Sequence, residues 1–211
     1  MKYVRMPIEK ESPEQLGYEK IKNNLTETSV RDRNIRDLGL VIDDILLPYG
    51  DHLGDPRLRG IIARQSGVDD PNDVLVTAGA ASALFLVASS LLGPGDKMIV
   101  ARPNYGTNIE TPRAIGADIS YLDQKFEEGF KVDIEKLESM IKPDTKYISL
   151  TNPHNPTGTM MSLSELKEVI AIAEKNDVWL LIDETYRDMF KEEVLPVAAS
   201  LSEKVISISS L

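Results

Sequence analysis

Two stretches of this sequence decide its fold: Asn152-Pro153-His154-Asn155-Pro156-Thr157-Gly158 and Asp183-Glu184-Thr185-Tyr186. Each follows a segment predicted to be a β-strand, residues 145–151 before the first and the continuous apolar run 178–182 before the second. Residues 164–176 between them are predicted to form a crossover helix, because apolar side chains recur there at helical spacing. These side chains are Leu166, Val169, Ile170 and Ala173.

Asn155 and Asp183 both come just after a predicted strand. Ligands of open parallel sheets bind at the carboxyl ends of the strands, so we expect both side chains to point into one crevice. Pro153, Pro156 and Gly158 favour a turn that exposes the amide of Asn155. Taken singly, the first stretch also fits a proline-rich connection and Asp183 also fits a helix cap, but their joint spacing favours a binding site.

The two stretches resemble the fold-type I pyridoxal 5'-phosphate enzymes, in particular the class I/II aminotransferases. The hallmark of that family is an N-P-x-N-P-T-G loop followed by D-x-x-Y, and this sequence contains both. The resemblance implies that Asp183 pairs with the protonated ring nitrogen of the cofactor, which keeps the ring an electron sink. It also implies that Asn155 and Tyr186 hydrogen-bond the phenolic oxygen of the ring.

Residues 77–84 join a predicted strand to a predicted helix through small side chains. The N-terminus of such a helix suits a phosphate, although small residues also serve close packing of a helix on a strand. The resemblance implies that the backbone of Ala80 and Ala81, together with the Ser82 hydroxyl, anchors the cofactor phosphate.

Three further residues receive roles through the resemblance. Tyr105 follows a predicted strand and matches the aromatic residue that stacks on the pyridine ring; the alternative is that it caps the core. Tyr49 matches a tyrosine that reaches the phosphate of the partner subunit, which implies a homodimer. Ser210 matches the first serine of a serine-x-serine-lysine element, where it contacts phosphate.

The Schiff-base lysine of that element is expected just beyond Leu211. The sequence resembles about the N-terminal half of a typical family member. We therefore expect it to be part of a longer enzyme, and the alternative is a protein that stops here.

Strands and helices alternate from residue 74 onward, which predicts an α/β fold with a mostly parallel sheet and helices on both faces. Through the resemblance, this is an aspartate-aminotransferase-like large domain. Residues 1–45 are predicted to form an N-terminal segment, which the resemblance implies is an arm and part of a small domain. Within it the residues indicate a helix start at Ser12 and an irregular stretch at residues 30–33. Residues 46–211 are predicted as the cofactor-binding large domain, incomplete at its C-terminal end. The segments predicted as strands include residues 74–77, 97–101, 118–122 and 205–209.

Composition narrows the classes of partner. With 24 basic and 34 acidic residues the formal net charge is -10, which argues against nucleic acid and anionic membranes as partners. There are no cysteines and only two histidines, so no metal cluster is expected, and His154 is interpreted as a spacer in its loop. No apolar stretch reaches the length of a membrane span, and a cytoplasmic location is expected.

The function expected from the resemblance is transfer of an amino group between an amino acid and a 2-oxo acid. One alternative is another reaction on the same scaffold, such as β-elimination, cyclisation or decarboxylation, because the motifs belong to the cofactor rather than the substrate. A second alternative is a non-catalytic aminotransferase-like ligand-binding module. The identity of the substrate does not follow from the sequence.

Overall fold

The computed structural model describes residues 1–4, 6, 10–25, 33–42, 49–189 and 194–210. The chain divides into two compact units, one formed by Met1–Val4 with Leu53–Leu211 and the other by Arg5–His52. The domain division at residues 45 and 46 stays a prediction.

The smaller unit contains short helical segments. Helix α1, Pro13–Leu16, begins after Ser12, as the sequence predicts, with proline in its first turn where no N–H donor is needed. A 3₁₀ turn, Ile35–Leu38, is closed by a bond from the Asn34 N–H to the Asp37 carboxylate at 3.0 Å. Of the predicted irregular stretch at residues 30–33, residues 30–32 lie outside the described residues.

The larger unit is built on a sheet of five parallel strands in the order β2-β1-β3-β4-β5. The described strands are β1 Lys97–Arg102, β2 Asp118–Asp123, β3 Thr145–Thr151, β4 Trp179–Asp183 and β5 Val205–Ile208. The α/β fold with a parallel sheet is therefore confirmed.

Helices cover both faces of this sheet. Helix α2, Pro56–Ser66, comes first in the larger unit, and the helices on the sheet are α3 Ala80–Leu91, α4 Gly106–Ile115, α5 Ile134–Met140 and α6 Leu163–Lys175. Alternate strand residues enter two cores, because successive side chains of a strand point to opposite faces. Leu180 and Ile182 of β4 pack with α5 and α6, whereas Leu181 packs with α3 and α4.

The direction of chain progression reverses between β1 and β3. From β1 the chain passes through α4 to β2 on one side, and from β3 it passes through α6 to β4 on the other side. The crossover helices lie on opposite faces as a result, which leaves a crevice beyond the carboxyl ends of β1 and β3. The loops that begin at Pro103 and Asn152 border this crevice.

The predicted strand at residues 74–77 is wrong. Val74, Leu75 and Val76 favour a strand locally, but no described segment forms a ladder with them. The Val76 N–H instead donates a bond to the Leu53 carbonyl at 2.9 Å. A strand needs a partner as well as suitable residues, and local sequence does not report the partner.

Candidate functional site

Asp183 is the last residue of β4 and lies almost fully buried, with 4% of its surface exposed. Strand alternation places its side chain on the same face as Leu181, the face covered by α4. Thr151 is its register partner on β3. The carboxylate therefore lies at the carboxyl end of the sheet, beneath helix α4.

Neutral groups satisfy the Asp183 carboxylate. Its Oδ1 accepts from the Thr185 hydroxyl at 2.7 Å and from the Thr185 N–H at 3.2 Å. Its Oδ2 accepts from Asn108 Nδ2 at 3.1 Å. No lysine or arginine in the described ranges forms an ion pair with it. Among the described residues, the site thus holds a buried carboxylate that no basic side chain neutralises, an arrangement that suits a cationic ligand.

The loop after β3 is a closed turn that presents Asn155. The Gly158 N–H donates to the His154 carbonyl at 2.7 Å, and the His154 N–H donates to the Thr159 carbonyl at 2.8 Å. Gly158 has φ 72°, a left-handed conformation that favours glycine. Asn155 is half-buried, and its side-chain amide makes no hydrogen bond to the residues that the structure describes. The amide is therefore available to a ligand.

Asn152, the first residue of the same motif, has a structural role. Its N–H donates to the Asp183 carbonyl at 2.9 Å, and its Oδ1 accepts from the Met161 N–H at 2.8 Å. These two bonds tie the end of β3 to the end of β4 and fix the start of the loop.

His154 does more than space its loop, which corrects the sequence interpretation. It is buried, and its Nε2 lies 2.9 Å from the Pro103 carbonyl while its Nδ1 lies 2.7 Å from Thr157 Oγ1. A carbonyl only accepts, so Nε2 carries the proton and Nδ1 of the neutral ring accepts from the hydroxyl. Burial lowers the pKa of His154. The ring joins the loop after β3 to the loop after β1.

Tyr105 directly precedes α4 and is 46% exposed. The alternative that it caps the core is therefore wrong. Its N–H donates to Asn104 Oδ1 at 2.7 Å, which fixes the backbone from which the ring projects. The ring is free to cover a planar ligand at the crevice.

Tyr186 is half-buried in the turn after β4, and its carbonyl accepts from the Met189 N–H at 3.1 Å. The neighbouring Glu184 is buried and faces away from the Asp183 side. Both of its carboxylate oxygens accept from the Ala198 N–H, at 3.2 and 3.3 Å. Burial raises the pKa of Glu184.

An open groove of about 760 Å³ brings together part of the predicted phosphate site. Gly79 and Ala80, at the start of α3, line this groove together with Ser209 and Ser210. The N–H groups of a first helical turn have no partner within the helix, so they face a ligand without competition.

The remaining predicted phosphate residues are not on the groove. Ala81 is exposed, and the Ser82 hydroxyl donates to the Ala78 carbonyl at 2.9 Å. Tyr49 is fully exposed in the smaller unit. The side chains of Asp183 and Asn155 do not line the groove either.

Sequence reasoning missed Asn104 and Asn108. Both are bonded into the network around Asp183, and Asn108 is 3% exposed. For Asn108 the sequence signal is a polar residue on the buried face of a helix, and this signal does not specify a partner. Within the described ranges, no group of three or more histidines and carboxylates is placed to hold a metal ion. No described helix has both the length and the apolarity to cross a bilayer.

Several known proteins are similar to this chain in sequence. The sequence profile described as aminotransferase class I and II matches residues 18–210. An arginine–pyruvate transaminase of Pseudomonas aeruginosa is 33% identical over 171 residues, covering 77% of this chain and 44% of that protein. An aspartate aminotransferase of Sulfurisphaera tokodaii is 38% identical over 116 residues, covering 54% of this chain and 29% of its own length.

Solved structures show the same fold. A pyridoxal-phosphate-dependent aminotransferase from Streptococcus suis matches with a TM-score of 0.74 at 34% identity, over 79% of this chain and 44% of that one. An alanine aminotransferase from Pyrococcus furiosus matches with a TM-score of 0.70 at 34% identity, over 77% and 43% respectively. The chain spans less than half of the length of each of these four relatives. The fold is that of the aspartate-aminotransferase-like large domain.

Proposed function

Because the chain belongs to the aminotransferases of class I and II, we propose that it is the cofactor-binding part of a pyridoxal-phosphate-dependent transaminase. The whole enzyme moves an amino group between an amino acid and a 2-oxo acid. The Schiff-base lysine of the family pattern stays a prediction. The proposal therefore assigns cofactor binding to these residues and catalysis to the whole enzyme.

The observation that carries the proposal is the buried carboxylate of Asp183. Its described hydrogen-bond partners, Thr185 and Asn108, are neutral, so its negative charge remains available. A pyridinium N–H supplies both a positive charge and a donor, which offsets the cost of burying the carboxylate. We assign Asp183 to the ring nitrogen, where it holds the proton.

Asn155 and Tyr186 are assigned to the phenolic oxygen of the ring. The amide of Asn155 is half-buried and unengaged among the described residues, so it has an N–H to donate. Tyr186 follows Asp183 in the same turn and is half-buried. Donation to a phenolate oxygen lowers the pKa of the groups conjugated with it, and the two donors thereby tune the reactive end of the ring.

The phosphate is assigned to the start of α3. The N–H groups of Ala80 and Ala81 have no described hydrogen-bond partner at the start of that helix, and Ser210 lines the same groove as Ala80. Ser82 joins them by turning its hydroxyl from the Ala78 carbonyl to the phosphate. Tyr105 stacks on the ring face and excludes water from it.

When bound, pyridoxal phosphate supplies the electron sink that labilises a proton on the substrate α-carbon. Asn155 and Tyr186 orient the cofactor, and Asp183 maintains its charge. Tyr49, fully exposed, is assigned to the phosphate of a partner subunit in a homodimer, which sedimentation of the chain tests directly. The cytoplasmic location stays a prediction.

Binding of pyridoxamine phosphate tests the cofactor assignment, because this form needs no lysine. We expect the 211-residue chain to bind it more tightly than a ring-carbon analogue, in which carbon replaces the ring nitrogen. A hydrogen bond to a charged group contributes about 1.5–3 kcal/mol, so the preference is about tenfold or more. Asp183→Asn is expected to remove it. Equal affinity of the wild-type chain for both ligands contradicts the proposal.

Product analysis separates transamination from the other reactions of the scaffold. In an enzyme that contains these residues together with the lysine, we expect loss of amino acid only when a 2-oxo acid is added. Consumption of amino acid without an acceptor indicates elimination or decarboxylation instead.

A further inference from the structure

The side-chain amide of Asn108 is the centre of a buried polar network. Asn108 lies in α4 and is 3% exposed. Its Nδ2 donates to Asp183 Oδ2 at 3.1 Å and to Asn104 Oδ1 at 3.1 Å. Its Oδ1 accepts from the Ser149 hydroxyl at 3.1 Å. Both amide protons are therefore used, and so is the carbonyl.

The orientation of this amide follows from its neighbours. Asn104 Oδ1 accepts from the backbone N–H of Tyr105, and Asn104 Nδ2 donates to the Ala101 carbonyl at 3.1 Å. The backbone thus makes Asn104 Oδ1 an acceptor, and a carboxylate oxygen of Asp183 is an acceptor as well. Only the NH₂ side of Asn108 satisfies both at once. Reversal of the amide would place oxygen against oxygen on two sides.

The network connects two residues that have separate roles. One end is the Asp183 carboxylate, and the other is the backbone N–H of Tyr105, with Asn108 and Asn104 between them. Thr151, the register partner of Asp183, also donates to Asn104 Oδ1, at 2.9 Å. The carboxylate of Asp183 and the backbone of Tyr105 are therefore held by the same hydrogen-bond network.

We propose that Asn108 is a positioning residue that aims the Asp183 carboxylate and couples its position to that of Tyr105. This inference rests on the assignment of Asp183 to the ring nitrogen. A neutral amide is suited to the task, because it orients the carboxylate without cancelling its charge. A lysine or arginine at the same place would pair with Asp183 and compete with the ligand.

The test compares affinities for pyridoxamine phosphate and for its ring-carbon analogue in the wild-type chain, Asn108→Ala and Asn108→Leu. Loss of one bond to a charged group corresponds to about a tenfold fall in the preference for the ring nitrogen. Leucine fills the space that alanine leaves, so a packing defect does not decide the result. Asn176→Ala is the matched control, because it removes an amide that caps α6 through the Ile172 carbonyl.

The outcomes separate this inference from the function on which it rests. If the wild-type chain prefers the nitrogen-containing ligand and both Asn108 variants keep that preference, the role of Asn108 is wrong and that of Asp183 stands. If the wild-type chain shows no preference, the assignment of Asp183 is wrong and the inference is overturned with it.

A second readout needs no ligand. We expect faster hydrogen exchange at the N–H groups of Thr185 and Tyr105 in both Asn108 variants, because each N–H donates to a group that Asn108 holds. Asn176→Ala is expected to leave both rates unchanged. If hydrogen exchange is not faster at either N–H group in the Asn108 variants, the coupling is wrong.

Discussion

His154 donates a hydrogen bond from Nε2 to the carbonyl of Pro103 at 2.9 Å and so joins the loop after β3 to the loop after β1. The two loops carry Asn155 and Tyr105, the residues assigned to the ring oxygen and the ring face. A histidine that looks like a spacer in the motif therefore sets the distance between two walls of the site.

Acid is expected to weaken this connection. Burial lowers the pKa of His154 below its ordinary value of 6.5, so the unfolded chain takes up the proton more readily than the folded chain. Stability from the neutral ring is fully present above about pH 6.5 and falls as the pH drops from there towards the lowered pKa. We expect urea denaturation between pH 8 and pH 5 to show a smaller loss of unfolding free energy towards acid in His154→Gln than in the wild-type chain. The exposed His52 gives the control, His52→Gln, and equal profiles in wild type and His154→Gln contradict the prediction.

Glu184 is expected to give the opposite slope. Burial raises its pKa above the ordinary 4.5, so the folded chain holds the proton over a range where the unfolded chain has lost it. Stability falls as the pH rises from about 4.5 through the raised pKa. We expect Glu184→Gln to gain unfolding free energy relative to wild type across that interval, measured by urea denaturation. The exposed Glu135 provides the control, because the unfolding free energy of Glu135→Gln is expected to differ from that of the wild-type chain by a constant amount across the interval. A constant difference for Glu184→Gln as well would contradict the prediction.

Tyr105 is expected to affect ligand affinity without affecting stability. Its ring is 46% exposed, so Tyr105→Ala changes the unfolding free energy by about 0.5 kcal/mol or less. Aromatic stacking contributes about 0.5–1.5 kcal/mol, which corresponds to a loss of roughly two- to tenfold in affinity for pyridoxamine phosphate. Tyr105→Phe is expected to keep the affinity, as measured by calorimetric titration. A large fall in thermal stability of Tyr105→Ala would instead place the ring in the core.

Gly79 is expected to control recognition of the phosphate. It precedes α3 with φ 87° and ψ 162°, a conformation open mainly to glycine, and no atom lies within 4 Å of an added Cβ. Gly79→Ala therefore strains the first turn of α3 and displaces the N–H groups of Ala80 and Ala81. We expect it to reduce the preference for pyridoxamine phosphate over pyridoxamine by about tenfold.

Gly95→Ala is the matched control for this measurement. Gly95 also has a positive φ, 83°, and an open Cβ position, but it precedes β1 at the opposite end of the sheet. It is expected to share the backbone strain and keep the phosphate preference. An equal loss of preference in both variants would mean that strain, and not the helix N-terminus, explains the effect.

Local sequence signals predicted much of the fold. The bounds of β3 agree with the sequence prediction to the residue, because the proline-rich turn that begins at Asn152 follows it directly. The strand prediction for residues 74–77 was wrong because strand propensity does not supply a partner strand. Asp183 ends β4 and Asn155 follows β3, as the sequence predicted, and the meeting of their side chains in one crevice stays a prediction.

The support around Asp183 did not follow from local signals. Asn108 reaches it across 75 positions of sequence, through the registry of β3 with β4 and the rotation of α4 about its axis. Local periodicity predicts neither the strand register nor the rotation of the helix. His154 was misread for the same reason, since its partner Pro103 belongs to another strand end.

The most direct test of the central claim observes the ring nitrogen itself. Pyridoxamine phosphate labelled at that nitrogen is bound to the chain, and its NMR chemical shift is followed as the pH is raised. If Asp183 holds the proton, the bound nitrogen stays protonated at pH values where the free ligand has lost its proton, and Asp183→Asn removes the difference. A bound nitrogen that titrates like the free ligand in the wild-type chain would contradict the account.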